Sequence, residues 1–234
     1  MPLVEVSIPN PKALRGGWAV AAAINAAKYS DRPNVYAKDD YWYYNDGGGN
    51  WACLRFINNE QAVLFGHDHE YSRTYFQDAA RDFGEKETDL LRDAPVWWTE
   101  NIDPPEYGPY IGFIYGWENN KWWRADYDES DGFKEVGLLR AISIIGRNSL
   151  SDSIVDVPEN PGIRGLCRSL KKYVSVVKVL RTLMASDADI MESEFEKLVL
   201  LDSQDGITSP AIYPVSDAKA AVAAAKRFLA IDLR

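Results

Sequence analysis

Histidine is nearly absent from this chain, at two of 234 residues. Cysteine is as scarce: Cys53 and Cys167 stand far apart, offer no Cys-x-x-Cys spacing and make no disulfide framework. A reducing cytoplasm is the compartment this implies. No run approaches the roughly 18–20 apolar residues that span a bilayer, so no membrane association is expected. The stretch Trp18 to Ala27 has the length of a signal-peptide core, with Lys12 and Arg15 before it. It is alanine-rich and carries Asn25, which argues against secretion. Surplus positive charge is missing too. Lys plus Arg is 26 against 35 Asp plus Glu, a net charge of −9, which argues against a protein that wraps duplex nucleic acid and needs a basic surface to do so. No Gly-x-Ser-x-Gly elbow is present.

What is present is concentrated. Apolar residues make up 46% of the chain, enough for a packed core and too many for a disordered one. Residues 1–30 have a net charge of +2, residues 31–150 of −10 and residues 151–234 of −1. Of 29 aromatic residues, 24 lie between Tyr29 and Phe133, and all eight tryptophans precede residue 124. Aromatic residues favour strands, whereas the later Leu, Val, Lys and Ala favour helices. The fold class expected is α+β: an antiparallel sheet built from hairpins packed with helices, followed by a helical C-terminal region. The divisions are 1–150 for the aromatic, acidic part, 151–162 for a linker-like segment with Pro158 and Pro161, and 163–234 for the helical part. The helical part is expected to pack on the first as one compact unit.

A helix is expected from Pro11 to Tyr29, with Asn10 as N-cap and Pro11 at its first position, although Gly16 and Gly17 weaken it. A strand follows over Asp40 to Tyr44. Trp51–Ile57 and Glu60–Gly66 then read as a hairpin around a two-residue Asn58-Asn59 turn. That register sets Leu54 opposite Val63 and gathers Ala52, Leu54, Phe56, Val63 and Phe65 on one core face. Helices are expected over Thr74–Phe83 and Thr88–Trp98, the latter capped by Thr88. A second hairpin runs from Tyr110–Trp117 to Lys121–Tyr127 around Asn119-Asn120, and Phe133–Ile145 forms a closing element. Beyond it, apolar residues recur at three- and four-residue steps over Arg164–Met184, opposite a basic face. Helices over Ala188–Leu201 and Ser216–Ala230 complete the chain.

The motif most like a site is Gly66-His67-Asp68-His69-Glu70, which contains both histidines and follows a strand. In extended geometry His67 and His69 point to one face, and two imidazoles so spaced can ligate zinc or a similar divalent metal. Asp68 or Glu70 would supply an oxygen ligand or a general base. Other ligands would be distant carboxylates such as Asp39, Asp40, Asp126 or Asp128. A polar strand exit that hydrogen-bonds its own loop accounts for the same residues with no cofactor. Asp46-Gly47-Gly48-Gly49-Asn50 lacks the lysine and following helix of a phosphate cradle and reads as a turn. Ser72 and Cys53 could meet a histidine only through folding, and Cys53 inside a hairpin reads as a small hydrophobe.

The run Trp51-Ala-Cys-Leu-Arg-Phe, then Ala62-Val-Leu-Phe-Gly-His-Asp-His-Glu-Tyr-Ser-x-Thr-Tyr, then Asp89-Leu-Leu-x-Asp-Ala-Pro-x-Trp-Trp resembles a group of uncharacterised bacterial proteins. The resemblance covers residues 50–100 and brings no catalytic residue with it. In general style the chain is similar to small acidic immunity proteins of bacterial toxin systems. The reading that follows is a protein-binding module, with an immunity-like inhibitor of a basic toxin as its concrete form. Its face would be drawn from Asp39, Asp40, Trp42, Tyr71, Trp122, Trp123, Asp126 and Asp128, and its partner would be a protein with a basic surface. The alternative is a metal-dependent hydrolase centred on His67, Asp68 and His69.

Overall fold

The computed structural model describes residues 3–28, 34–38, 40–103, 110–133, 186, 188–193 and 218–230. The chain divides into two compact units. One comprises Met1–Leu14, Ala37–Arg140 and Ile231–Arg234, the other Arg15–Tyr36 and Ala141–Ala230. The elements in chain order are β1 (Val4–Val6), α1 (Pro11–Lys28), β2 (Val35–Lys38), β3 (Tyr41–Asn45), β4 (Trp51–Phe56) and β5 (Ala62–His67). They continue with α2 (Asp78–Phe83), α3 (Val96–Thr99), β6 (Phe113–Glu118), β7 (Lys121–Arg124) and α4 (Ala218–Lys226), which runs into a 3-10 turn at Arg227–Leu229. The class is α+β. The linker-like segment 151–162, the closing element past Phe133 and the basic helix over 164–184 lie outside the described residues.

The strands form one seven-stranded antiparallel sheet in the order β1-β7-β6-β5-β4-β3-β2. From β2 to β7 sequence neighbours are spatial neighbours, and β1 returns to close the far edge against β7, with Val4 opposite Arg124 and Val6 opposite Trp122. Both faces of the central strands are buried. Trp42, Leu54, Leu64, Tyr115 and Trp122 line one face, and Tyr43, Trp51, Cys53, Phe65 and Ile114 the other. Aromatic rings account for much of this packing, as in Trp42 on Phe56 (4.8 Å, edge-on) and Trp51 on Phe65 (5.9 Å, edge-on).

The first hairpin departs from its expected register by one residue. Leu54 faces Leu64, Cys53 faces Phe65 and Ala52 faces Gly66. The loop is longer than two residues: the N–H groups of Ile57 and Asn58 both donate to Gln61 O (3.0 and 3.3 Å), and Asn58 Oδ1 accepts from Glu60 N (2.8 Å). Val63 and Phe65 therefore turn to the face opposite Ala52, Leu54 and Phe56. With apolar side chains on both faces, alternation could not decide between registers one residue apart. The second hairpin keeps its two-residue turn. Glu118 faces Lys121, and Asn119 and Asn120 take φ values of 54° and 60°, the left-handed pair that matches strand twist.

Helix α1 begins as its sequence requires, with Ala13 N–H donating to Asn10 Oδ1 at 2.8 Å. It runs unbroken through Gly16 and Gly17, and Trp18, Ala19, Val20, Ala22 and Ala23, which belong to the second unit, are fully buried. In the same unit Ala221, Ala225 and Phe228 form the buried stripe of α4 and its 3-10 turn. Between β5 and β6 the expected helices shorten. The first spans only Asp78–Phe83, after Gln77 at φ 47°. Of Thr88–Trp98 only the final turn is helical, and Pro95, lacking an N–H, opens it. Thr88 caps nothing. It is buried and clipped to Tyr75, donating its N–H to Tyr75 O (2.8 Å) and accepting from Tyr75 N at its hydroxyl (3.3 Å).

Candidate functional site

An antiparallel sheet delivers alternate connections to the same end. The β3–β4 turn, the exit of β5, the entry to β6 and the exit of β7 therefore gather at one end of this one. Residues 46–50, 67–73, 110–112 and 125–133 meet there. The glycine run is a self-satisfied turn, as its lack of a lysine implied. Asp46 accepts from Gly48 N (2.7 Å), Asn50 N (3.2 Å) and Asn50 Nδ2 (2.8 Å). Asn50 Oδ1 in turn accepts from His69 N (2.8 Å), which ties the turn to the histidine motif. Arg73 N donates to Ser130 O at 2.6 Å and ties that motif to the β7 exit.

Two aspartates anchor these loops from within. Asp68 is 1% exposed, and its Oδ1 accepts from Glu70 N (3.0 Å) and Tyr71 N (2.7 Å), turning the chain sharply after β5. Asp131 Oδ2 accepts from the hydroxyls of Tyr115 (2.5 Å) and Tyr127 (2.8 Å). Burial raises both phenols well above their usual range; for Tyr115 the Tyr127 phenol and then Asp131 add to it, and for Tyr127 Asp131 does. They stay protonated and act as donors.

His67 ends β5 opposite Trp51, half-buried, with its Nδ1 shielded from solvent and without a hydrogen-bond partner. Burial lowers its pKa; Asp68 opposes this and His69 adds to it. The imidazole is neutral at pH 7. Gly112 leaves space beside it: a β-carbon there would lie 2.7 Å from Ser72 Oγ and 3.1 Å from His67 Nδ1. Folding thus brings Ser72 and His67 to one glycine, but it does not make them a nucleophile–base pair. Thr74 Oγ1 donates to Gly112 O (2.6 Å), so the 2.9 Å contact between Ser72 and Thr74 uses the Ser72 proton. The Ser72 O–H points at Thr74.

His69 and Glu70 are exposed, with His69 Cβ packed beside Gly49. Among the described residues no three His, Cys, Asp or Glu side chains assemble as a metal-binding group. Asp68, weighed as an oxygen ligand or general base, spends Oδ1 on its own loop. Cys53 is buried and unpaired, as a small hydrophobe would be.

The expected binding face is divided by the sheet. Tyr71 is 54% exposed, Asp128 is exposed, and Trp123 and Asp126 are half-buried, all near the loop end or β7. Trp42 and Trp122 are core residues, at 0% and 1% exposure. Trp122 still spends its indole N–H on Pro9 O (2.9 Å). Asp40 is exposed at the opposite end of the sheet, 3.7 Å from Arg55, and Asp39 lies outside the described residues. Vicinal tryptophans alternate faces in a strand, so only one of Trp122 and Trp123 could reach the surface. Sequence reasoning passed over a surface group on the same end. The Tyr110 ring meets His67 (6.3 Å) and Phe83 (5.1 Å), and Phe83 meets Tyr75 (6.0 Å). These residues share no sequence spacing, and Tyr110 read as the start of a strand.

No family model, curated protein or solved structure matches the chain. No helix among the described residues is long and apolar enough to cross a membrane.

Proposed function

We propose that the chain is a protein-binding module that engages a basic partner through the loop end of its sheet. The observation that supports this reading is the locking of the 67–73 loop to the 125–133 loop by Arg73 N to Ser130 O. Exposed Glu70, Tyr71, Asp128 and Glu129 are carried on that locked pair. Fixed loops lose little conformational entropy on binding, carboxylates steer a basic partner, and an exposed tyrosine is a favoured anchor. The concrete form is an immunity-like inhibitor that covers the basic active site of a bacterial toxin. The test is an affinity capture from the source cells with wild-type protein and with a Glu70→Lys/Asp128→Lys/Glu129→Lys variant. A basic protein retained by the wild type, released by salt and lost with the variant is the expected result. Equal capture by both, or capture of no basic protein, overturns the reading.

A further inference from the structure

We propose that the Tyr75–Phe83–Tyr110 strip is an arginine-binding platform for that basic partner, the guanidinium lying on the exposed ring of Phe83 beside Asp82. This rests on the protein-binding reading and adds a recognition chemistry and a set of residues to it.

Phe83 closes α2 and is 58% exposed, a large apolar surface left in water. Its ring makes tilted contacts with Tyr75 (6.0 Å) and Tyr110 (5.1 Å), and Tyr110 meets His67 edge-on at the loop end. The Tyr110 hydroxyl donates to Asp82 Oδ2 at 3.3 Å, which holds a carboxylate at the rim of the strip. Oδ2 keeps capacity to accept a second N–H.

Two observations point to a cation as the occupant. First, residues 77–93 carry six acidic and three basic side chains, all exposed. One of the three, Arg81, is already held by Asp78 (2.7 Å) and Asp82 (3.0 Å). Secondly, three rings elsewhere in the same unit are capped by the chain's own cations. Arg124 lies 4.1 Å over Tyr127, Arg55 5.6 Å over Tyr41 and Lys121 5.7 Å over Trp123. Among the described residues no lysine or arginine covers Phe83 or Tyr110. A planar guanidinium suits the position better than an ammonium, because it stacks on the ring while its N–H groups reach the carboxylate.

The probe is a fluorescein-labelled peptide of alternating arginine and glycine, with its citrulline counterpart as the uncharged control, read by fluorescence anisotropy. Wild-type protein is expected to bind the arginine peptide, more weakly as salt rises, and to ignore the citrulline one. Phe83→Ala, at an exposed position, should weaken binding by about tenfold, whereas Phe83→Trp should retain it. Val96→Ala, at another exposed apolar site, should bind as wild type does. The inference is overturned by absence of binding, by equal binding of the citrulline peptide, or by a Phe83→Ala variant that binds like wild type. The Glu70→Lys/Asp128→Lys/Glu129→Lys variant is measured in parallel. If it loses binding while Phe83→Ala does not, the loop face stands and the aromatic platform falls. If neither variant changes binding, both fall.

Discussion

The indole of Trp98 rests against the α-carbon of Gly116, so closely that a β-carbon on Gly116 would overlap the Trp98 ring. Alanine in a strand is ordinarily favoured over glycine by about 0.5–1 kcal/mol. Here Trp98 is a bulky ring only 1% exposed, with its atoms 2.0–2.2 Å from where the new β-carbon would sit. Overpacking of a filled core costs about 1–3 kcal/mol, which outweighs the backbone gain. Gly116→Ala should therefore lower the urea midpoint and shift tryptophan emission. Unchanged stability would mean that Trp98 packs elsewhere.

The two asparagine pairs should respond differently to the same change. Asn119 and Asn120 are left-handed and Asn59 is not. Asn120→Ala should cost about 1–2 kcal/mol, whereas Asn59→Ala should stay within about 0.5 kcal/mol. Equal effects in thermal or urea unfolding would contradict the turn assignment.

Burial pushes the Cys53 thiol up to about 12, with Arg55 opposing and Asp40 adding to the shift. The thiolate is the reacting species, and an unfolded cysteine titrates near 8.5. In a Cys167→Ser background at pH 8, Cys53 should react with a disulfide reagent about a thousandfold more slowly folded than unfolded. A fast native reaction would place the thiol at the surface.

His67 contributes to pH dependence with a definite sign. Its folded pKa lies below the unfolded value, near 6.5. The unfolded chain therefore takes up the proton first as pH falls. The contribution is fully present above about pH 6.5 and is lost as pH drops through the folded pKa. Urea midpoints at pH 7.5 and pH 5 should differ less in His67→Gln than in wild type. An unaltered difference would show that other groups carry it.

Where a sequence signal was local and one-sided, it carried through to the structure. Asn10 and Pro11 open α1, Asn119-Asn120 makes the second hairpin turn, and the aromatic middle forms the sheet. The register of β4 and β5 was not legible because both of their faces are buried. Strands β1 and β2, three and four residues long, give too short a pattern to read. Thr88 resembles a cap in sequence, yet its partner is Tyr75, a tertiary neighbour that no local rule identifies. The histidine motif lies at the end of the sheet where the β3–β4 turn and the β7 exit also meet. Its aromatic neighbours Phe83 and Tyr110 did not stand out, because only folding makes them adjacent.

The pairing of β1 with β7 also has a consequence in time. Lys121 Nζ meets Glu5 Oε2 at 2.7 Å across 116 residues of sequence, whereas β6 reaches β7 through two. Chain closure grows costlier with the length enclosed, and short connections zip first. The sheet should therefore assemble from its hairpins outward, with β1 seated after the β6–β7 hairpin. Pulse-labelling hydrogen exchange during refolding should find Val4–Val6 protected after Phe113–Glu118. Until then β7 presents a bare edge, and the newly made chain is most open to pairing with its neighbours.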